Sequence, residues 1–433
     1  TIGLFAGNFS PMRSAGEVFV PDRPRSGSLC RSVIDGAEQT RLWRTLLAGD
    51  AMNLYWFIPE ESSRVASRFG GLLGAAAQFE MAGTLRKPGG GIARCGASTY
   101  AWRDGYAAEE DARADYHAEF ERRFVLVTKE NIELCRKSDA ILFGAAGGPK
   151  WDIPGTKEYS NSAVLVIRKE FGLYANLRPV VVFPGMEGCS PLKPELVKGT
   201  DLIVLRENTG GAYFGQPKKQ WIENNERNAI DAMLYSEHEI VRILKVGFEL
   251  ARQRRKKLAS VEKANVTETG KLWRKIATEM SAEYPDIAVE HMYADATTMW
   301  LLRQPTSFDV LVMGNLFGDI ISDEASTLAG SLGMGPSAQI AGLPKKGEKV
   351  FGFYESAHGS APKHAGKNDA NPIATILSVA LMLRYTFGLE KEAKAIEAAT
   401  AKAVLTHRTY DVMEPGKIKV ETKEMGDVIT AAL

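Results

Sequence analysis

The stretch FDVLVMGNLFGDIISDEAS, Phe308 to Ser326, has an apolar run that ends at a glycine and is followed by two aspartates. The run is typical of a buried β-strand that enters a loop. The four-residue spacing of Asp319 and Asp323 places both carboxylates on one face of a following helix, where they repel each other unless a cation or water separates them. The stretch therefore predicts a strand and then a helix that carries either a cation site or a solvated acidic face.

The same strand pattern recurs along the chain. Apolar runs closed by glycine or other turn residues occur in DAILFGAAGGP, PVVVFPG and TDLIVLREN. Between such runs lie amphipathic stretches, and SEHEIVRILKVGFELARQRRKK has apolar residues at helical spacing and a basic end that suits the negative C-terminus of a helix. Strands that alternate with helices predict an α/β protein.

The first 125 residues are atypical. The opening TIGLFAG fits a strand, but residues 12–125 show weak periodicity and many turn formers. The sequence has no GxGxxG fingerprint, P-loop or HExxH motif, so a nucleotide would bind by another route. The 433 residues exceed the size at which one hydrophobic core stops growing, so two lobes are expected.

Composition excludes several classes of protein. The 54 Lys and Arg nearly balance the 53 Asp and Glu, which argues against a general nucleic-acid or membrane surface. The four cysteines are far apart and form no CxxC, so neither a disulfide framework nor a zinc ribbon is expected. No apolar run has the length of a membrane span, and the opening residues lack a signal-peptide pattern. These features predict a cytoplasmic protein, or in a eukaryote one of an organelle lumen.

Three arginines stand beside apolar runs, namely Arg168, Arg178 and Arg206. A guanidinium binds a carboxylate through two parallel hydrogen bonds, so three converging arginines would suit a dicarboxylate or tricarboxylate. Taken singly, each arginine is more often a surface or salt-bridge residue.

Two further residues are candidates for acid–base chemistry. Lys263 lies in SVEKANV, and a lysine beside a divalent cation has a lowered pKa that suits a base. Tyr213, in GGAYFG, is a candidate acid. The alternatives are a lysine that covers apolar surface and a core tyrosine. Together with Asp295 of YADATTMW, Asp319 and Asp323 offer only oxygen ligands, which favour Mg²⁺ or Mn²⁺ over zinc.

Together these segments resemble the β-decarboxylating dehydrogenases, the isocitrate and isopropylmalate dehydrogenase family, and most closely its isopropylmalate branch. The resemblance runs from Lys129 to the C-terminus. The segments that carry it, in the family's order and spacing, are GGPKWD, RKEFGLYANLRP, RENTGGAYFG, SVEKANV, NLFGDIISDEASTLAGSLGMGPSA, HGSAPKHAGKNDANPIATILSVALMLRY and TKEMGD.

The resemblance implies a two-lobed α/β fold that lacks the Rossmann fingerprint. Residues 1–173 and 330–433 would form the cofactor-binding lobe, and residues 174–329 the smaller lobe for dimerisation, metal and substrate. It also implies a homodimer in which each active site is completed by the partner subunit.

The resemblance further implies oxidative decarboxylation of a 3-substituted malate. The arginines would hold the malate carboxylates, Lys263 would take the hydroxyl proton, and Tyr213 would protonate the enol carbon. Lys263 and Asp295 would come from the partner subunit. The implied ligands of Mg²⁺ or Mn²⁺ are Asp295, Asp319 and Asp323.

The identity of the 3-substituent depends on residues near Arg168. Isocitrate-specific relatives place a serine and an asparagine there. This chain has the serine, Ser162, but Val164 at the second position, followed by Leu165, with Val266 on the segment of Lys263. An apolar pocket disfavours a third carboxylate and favours an isopropyl group. Asn208, where isopropylmalate enzymes usually have leucine, and Asn161, which replaces a glutamate, keep homoisocitrate, isocitrate and tartrate open as substrates.

The stretch HGSAPKH carries the predicted cofactor preference. NAD-dependent isopropylmalate enzymes usually have an aspartate where this chain has Lys363, and a lysine attracts the 2′-phosphate of NADP. NADP-dependent relatives also have a tyrosine at the position of Tyr410. NADP is therefore favoured over NAD, and the alternative is a solvated Lys363 with NAD as cofactor. The implied cofactor contacts are His358, Gly359, Ser360, Ala361, Pro362, Lys363, His364, Asn371 and Tyr410.

Two departures bear on activity. Where the family opens with a loop like PGDGIGPE, this chain reads FAGNFSPMRSAGE, and GGPKWD comes late. Residues 12–125 are thus an expanded lobe or foreign, frame-shifted or poorly determined sequence. A non-catalytic regulatory paralogue is the rival to an enzyme, but such a chain should lack a metal ligand or the Lys263 and Tyr213 pair, and all of these are present.

Overall fold

The structure is a computed structural model that describes residues 2–4, 90–95, 99–104, 129–145, 162–345, 348–364 and 367–433. The motif GGPKWD, Asn161 and most of the first 125 residues lie outside the described residues. The chain divides into two compact units, one formed by Thr1–Ile167 with Phe351–Leu433 and the other by Arg168–Val350.

Strands and helices alternate over most of the described chain, so the predicted α/β class is confirmed. The strands are β1 (Ile2–Leu4), β2 (Gly90–Cys95), β3 (Thr99–Asp104), β4 (Ala140–Leu142), β5 (Ala175–Val181), β6 (Asp201–Glu207), β7 (Lys218–Glu223), β8 (Glu226–Asp231), β9 (Lys257–Glu262), β10 (Ala288–Tyr293), β11 (Val310–Met313), β12 (Pro336–Ile340), β13 (Gly352–Ser356), β14 (His407–Arg408) and β15 (Ile418–Lys419). The α-helices are α1 (Lys129–Arg136), α2 (Ser162–Glu170), α3 (Pro194–Val197), α4 (Glu237–Gln253), α5 (Glu268–Ser281), α6 (Ala294–Arg303), α7 (Asn315–Thr327), α8 (Ile373–Tyr385), α9 (Glu390–Val404) and α10 (Thr422–Ala432).

The unit Arg168–Val350 is built on a mixed sheet with the order β12-β5-β6-β11-β9-β10. The strands β6, β11, β9 and β10 run parallel, whereas β5 is antiparallel to both β6 and β12. All four residues of β11 are buried, as its apolar sequence VLVM predicts. The apolar run of the opening stretch is thus a central strand.

Helices cover both faces of this sheet. The predicted amphipathic helix is α4, which begins with a capping box between Ser236 and Glu239 and has Arg252 in its last turn. It packs on β6, β9 and β11. Helix α7 packs on β5 and β6 and carries Asp319 and Asp323 one turn apart, as their spacing predicts.

The other unit has β4 between β1 and β13, all parallel. The opening strand that TIGLFAG predicts is present as β1. Helix α8 is buried on nearly every side because its sequence, IATILSVALMLRY, is apolar all round, and it packs on β13 and α9. Its N-terminus follows Asn371, whose side-chain oxygen accepts a hydrogen bond of 3.0 Å from the amide of Ile373.

A β-hairpin formed by β7 and β8 was not predicted from the sequence. Its turn is Asn224–Asn225, and both residues have positive φ angles, of 52° and 62°. Asparagine tolerates this left-handed conformation, which suits two-residue hairpin turns. None of the helices in the described ranges combines the length and hydropathy required to cross a lipid bilayer.

Candidate active site

Three buried arginines converge in the unit Arg168–Val350. Arg168 lies near the end of α2, Arg178 on β5 and Arg206 on β6, and their exposed fractions are 7%, 6% and 1%. Burial lowers the pKa of Arg206, and the nearby charges of Arg168 and Arg178 lower it further. Asp319 and Tyr213 oppose this shift. The fold therefore brings the three arginines together, which the sequence alone does not establish.

Each of the three guanidinium groups is held at its Nε atom by the oxygen of a side-chain amide. All three amide residues are fully buried. The pairs are Arg168 with Gln339 at 2.7 Å, Arg178 with Asn176 at 2.9 Å, and Arg206 with Asn315 at 2.9 Å.

Asp319 lies at the centre of the arginines. It accepts a hydrogen bond from Nη1 of Arg206 and one of 2.6 Å from the hydroxyl of Tyr213, and it lies 3.5 Å from Nη2 of Arg178. Burial alone would raise the pKa of Asp319, but the charges of Arg206 and Arg178 outweigh it, so the pKa is lowered. Asp319 is therefore an ionised acceptor at neutral pH.

Asp323 lies one turn further along α7. Its Oδ1 accepts a hydrogen bond of 3.0 Å from Nη1 of Arg178, and its side chain is about half exposed. Burial of the carboxyl raises the pKa of Asp323, Arg178 opposes this shift, and the charge of Asp319 adds to it. The two aspartates thus form an oxygen-rich edge whose mutual repulsion a cation would relieve.

Lys263 and Asp295 form a separate pair. Lys263 follows β9 and Asp295 lies in the first turn of α6, and their Nζ and Oδ1 atoms are 2.5 Å apart. The hydrogen bond from Lys263 lowers the pKa of Asp295. Within the described ranges of one chain, no group of three or more His, Cys, Asp or Glu could hold a metal ion.

Tyr213 is placed by a glycine turn after β6. The segment Gly211–Tyr213 is a short 3₁₀-helix, and Gly211 has a φ of 68°, a conformation that favours glycine. A β-carbon at Gly211 would collide with the ring of Tyr235. Burial, together with the hydrogen bond to Asp319, raises the pKa of Tyr213 to about 12, so its hydroxyl retains the proton that an acid must supply.

The predicted substrate-pocket residues differ in exposure. On α2, Val164 is 9% exposed and Leu165 is half-buried, and these residues precede Arg168 by four and three positions. Helical residues at these spacings share a face with Arg168. Val266 is 68% exposed and lies on the loop that follows Lys263.

The predicted cofactor segment lies in the unit formed by residues 1–167 and 351–433. Residues Pro362–His364 form a 3₁₀-helix, and Ala361, before it, has a φ of 41°. The ring of His364 stacks on Tyr410 with centroids 4.9 Å apart, and the Tyr410 hydroxyl lies 3.2 Å from Nε2 of His364. Lys363 is exposed and forms no ion pair with any described residue. The other predicted cofactor contacts in this stretch, His358, Gly359, Ser360 and Pro362, are half-buried or exposed.

Polar contacts hold this segment in place. Nδ1 of His364 lies 3.1 Å from Asp369, and the side-chain nitrogen of Asn371 donates to Asp411 at 3.1 Å. Asn371 is buried, which makes it a support for the segment as well as a candidate contact. His364 therefore contacts both Asp369 and Tyr410, and Asn371 contacts Asp411, the residue that follows Tyr410.

The sequence reasoning missed the amides that hold the arginines. Asn176 precedes Arg178 by two residues on β5, a spacing that places both side chains on one face of the strand and could have indicated their contact. Gln339 and Asn315 are distant in sequence from their arginines, and no sequence spacing indicates those contacts. The structure also shows that Asn208 is fully buried, and its Nδ2 donates to Gln339 at 2.9 Å.

Comparison with known proteins is consistent with this geometry. The family described as isocitrate/isopropylmalate dehydrogenase matches residues 113–429. A 3-isopropylmalate dehydrogenase of Dehalococcoides mccartyi is 53% identical over 307 residues, which cover 70% of this chain and 84% of that protein.

Solved structures are similar as well. A crystal structure of isocitrate dehydrogenase from Methylococcus capsulatus has a TM-score of 0.64 and 28% identity, with 84% of this chain and 96% of that chain covered. A protein from Thermus thermophilus has a TM-score of 0.61 and 33% identity over 73% of this chain, which spans only 60% of that protein's length. The predicted family fold is confirmed, and the chain belongs to the isocitrate/isopropylmalate dehydrogenase family of β-decarboxylating dehydrogenases.

Proposed function

We propose that the protein oxidatively decarboxylates a 3-substituted malate, as in leucine biosynthesis, and that its preferred substrate is 3-isopropylmalate. The observation that carries this proposal is the convergence of three buried arginines beside Asp319 and the protonated Tyr213. A guanidinium group can bind a carboxylate through two parallel hydrogen bonds, which suits the two carboxylates of malate. Relatives about 50% identical to this chain bear the name 3-isopropylmalate dehydrogenase.

Each side chain of the site has its own role in the proposed reaction. When bound, the nicotinamide would accept a hydride from C2, and Mg²⁺ or Mn²⁺ would supply Lewis-acid polarisation at the substrate oxygens. The arginines orient the carboxylates, and Lys263 takes the proton of the 2-hydroxyl directly or through water. Loss of CO₂ from the resulting β-keto acid leaves an enolate, which Tyr213 protonates at C3.

The cation would be held by Asp319 and Asp323 from one chain and by Asp295 of the partner subunit. The donors fit Mg²⁺ or Mn²⁺ because all are carboxylate oxygens, and the two on α7 lie one turn apart. A cation there would compete with Arg178 and Arg206 for Asp319, and would release their terminal nitrogens toward substrate carboxylates.

The first experiment is a substrate panel. NAD(P)H formation is measured with 3-isopropylmalate, homoisocitrate, isocitrate and tartrate, each with Mg²⁺ and Mn²⁺. The highest kcat/KM is expected with 3-isopropylmalate because Val164 and Leu165 offer an apolar wall. Turnover of none of these substrates, with binding intact, would reject the enzyme and support the regulatory paralogue.

The role of Lys263 is tested by Lys263→Ala. Hydride transfer should be lost while substrate binding stays measurable by calorimetry, because the arginines remain in place. Lys245→Ala, a substitution on α4, serves as the matched control and should keep full activity. An active Lys263→Ala variant would refute the assignment of the base.

We further propose a homodimer whose active sites are shared between subunits. Apolar side chains remain exposed on α6 and α7, with Met299 45%, Leu302 39% and Ile320 58% exposed, as expected of a surface that a second subunit covers. Lys263 and Asp295 form a pair of their own, separate from the contacts of Asp319, which is the arrangement that a shared site requires.

A complementation experiment tests the sharing. Lys263→Ala and Asp319→Asn should each be inactive alone. If the two residues of one site come from different subunits, each mixed dimer has one intact site, and random mixing should restore about a quarter of wild-type activity. Sites built within one chain would give no recovery, provided that sedimentation shows a dimer and subunits exchange.

For the cofactor we propose NADP in preference to NAD. Lys363 is exposed and forms no ion pair with described residues, and His364 and Tyr410 stack beside it, so a 2′-phosphate would meet an available cation. The ratio of kcat/KM for NADP to that for NAD should exceed one and should reverse in Lys363→Asp. A preference of the wild type for NAD would contradict the proposal.

We also propose a cytoplasmic location, since Cys135 and Cys189 are free thiols.

A further inference from the structure

At their Nε atoms the arginines of the candidate site have neutral partners, whereas three other arginines of the same unit contact buried carboxylates. Arg274 is held by Glu262, Arg254 by Asp309 and Arg242 by Glu207, and these three carboxylates are at most 2% exposed. At the site, the Nε anchors are instead the neutral amides of Asn176, Asn315 and Gln339.

The sheet register brings these amides and arginines together. Gln339 on β12, Asn176 on β5 and Arg206 on β6 lie directly opposite one another across antiparallel pairs, so their side chains point to the same face. Arg178 is two residues from Asn176 and shares that face. The polar face is covered by α7, which contributes Asn315.

Each amide makes a second hydrogen bond, and for Asn315 that bond fixes which end of the amide meets the arginine. The nitrogen of Asn315 donates to the carbonyl of Gly210 at 2.9 Å, and the nitrogen of Asn176 donates to the hydroxyl of Ser337 at 2.8 Å. The oxygen of Gln339 also accepts the 2.9 Å hydrogen bond from Asn208. Since a carbonyl can only accept, Asn315 must present its oxygen to Arg206.

Anchoring by an amide fixes a guanidinium without cancelling its charge. An amide adds no negative charge beside the positions where the substrate carboxylates would bind, so it does not weaken the attraction between the arginines and an anionic substrate. Carboxylates in place of the three amides would hold the arginines with stronger hydrogen bonds but would place three negative charges beside the anion site. Amides at these positions therefore favour the binding of an anion, whereas carboxylates would favour the stability of the arginine cluster without substrate.

We propose that Asn176, Asn315 and Gln339 are positioning residues that aim the three arginines at the substrate carboxylates without adding negative charge of their own, with Asn208 as the second support of Gln339. The inference rests on the proposed function, in which these arginines bind substrate.

The test exchanges amide for carboxylate. Gln339→Glu and Asn176→Asp keep size and the ability to accept from Nε, and Gln253→Glu, at an exposed position on α4, controls for an added negative charge. The dissociation constant and the KM for 3-isopropylmalate are measured with Mg²⁺ at several salt concentrations. Both constants should rise roughly tenfold or more in each site variant, with a smaller change in kcat, whereas Gln253→Glu should match the wild type.

A purely structural role predicts the opposite result. A carboxylate would hold the arginine at least as well, so the melting temperature would stay or rise and the dissociation constant would not change. Such unchanged binding in both Gln339→Glu and Asn176→Asp would overturn the inference. Gln339→Met, which removes the anchor and adds no charge, should weaken binding less than Gln339→Glu.

The outcomes separate this inference from the proposed function. Wild-type protein that binds 3-isopropylmalate but does not turn over any malate would reject the proposed function alone, and the dissociation constants of the variants would still decide the inference. Turnover by the wild type together with unchanged binding in the carboxylate variants would reject the inference alone. Wild-type protein that binds none of the substrates in the panel would overturn both.

Discussion

Gly318 on α7 lies against the stem of Arg206, and replacing it by alanine should displace that arginine. A β-carbon at position 318 would lie 2.6 Å from Cγ and 2.7 Å from Cβ of Arg206. Carbon atoms in contact are about 3.5 to 4.0 Å apart, so the stem or the helix would have to move by about 0.9 Å. Arg206 is only 1% exposed, which leaves its stem little space to move into.

Two opposing terms set the stability of Gly318→Ala. Alanine is favoured over glycine in a helix by about 1 kcal/mol. Forcing an extra methyl group into a packed interior costs about 1 to 3 kcal/mol. We therefore expect a net destabilisation of about 0 to 2 kcal/mol. If the helix had room at this position, the substitution would instead stabilise the protein by about 1 kcal/mol.

The displacement should also weaken substrate binding. Movement of Arg206 would strain its hydrogen bonds of 2.9 Å and 2.7 Å to Asn315 and its contact with Asp319. The KM for 3-isopropylmalate should rise by about tenfold, the equivalent of about 1.4 kcal/mol. Urea unfolding at fixed protein concentration and steady-state kinetics measure the two effects.

Gly247→Ala is the matched control for Gly318→Ala. Gly247 lies on α4, which packs on the same sheet, and its β-carbon would meet the side-chain tip of Leu258 at 3.2 Å. That tip can shift, so the change in stability should be smaller and KM should be unchanged. A Gly318→Ala variant that was more stable than the wild type and had an unchanged KM would refute the reasoning.

Three further predictions concern other parts of the molecule. Val164→Asn should raise activity toward isocitrate relative to 3-isopropylmalate, and an unchanged preference ratio would place the pocket elsewhere. Burial raises the pKa of Cys135 to about 12, so peptide mapping after iodoacetamide should find Cys189 alkylated in the native protein and Cys135 only after unfolding. Burial alone would raise the pKa of Glu390, but its hydrogen bond from Arg384 lowers it below the ordinary 4.5. This ion pair therefore stabilises the fold above that pH and is lost as pH falls through the lower folded pKa, so Glu390→Gln should flatten the decline of melting temperature in acid.

The strands and helices that could be predicted from the sequence are those with strong local signals. The capping residues and apolar spacing of α4 and the apolar run of β11 are local properties, and both elements are present. The hairpin of β7 and β8 was missed because its strands are mostly exposed and so lack an apolar alternation. Its Asn224–Asn225 turn was the available signal.

The sequence was sufficient to predict which residues belong to the site, but not which of them are in contact. Resemblance identified Arg168, Arg178 and Arg206, and their convergence depends on strand order and register, which a sequence does not display. The pair of Lys263 and Asp295 illustrates the same limit. These residues are 32 positions apart and meet because β9 and β10 are neighbouring parallel strands whose ends lead to the two residues.

Asn208 shows how a sequence difference changes meaning once its surroundings are known. As a departure from the leucine usual in isopropylmalate enzymes, it kept homoisocitrate, isocitrate and tartrate open as substrates. In the structure its side chain is fully buried, and its nitrogen donates to Gln339 and, at 3.4 Å, to the carbonyl of Leu173. Asn208 therefore bears on how firmly Arg168 is held, and Asn208→Leu should raise KM for isopropylmalate and isocitrate alike without changing the preference between them.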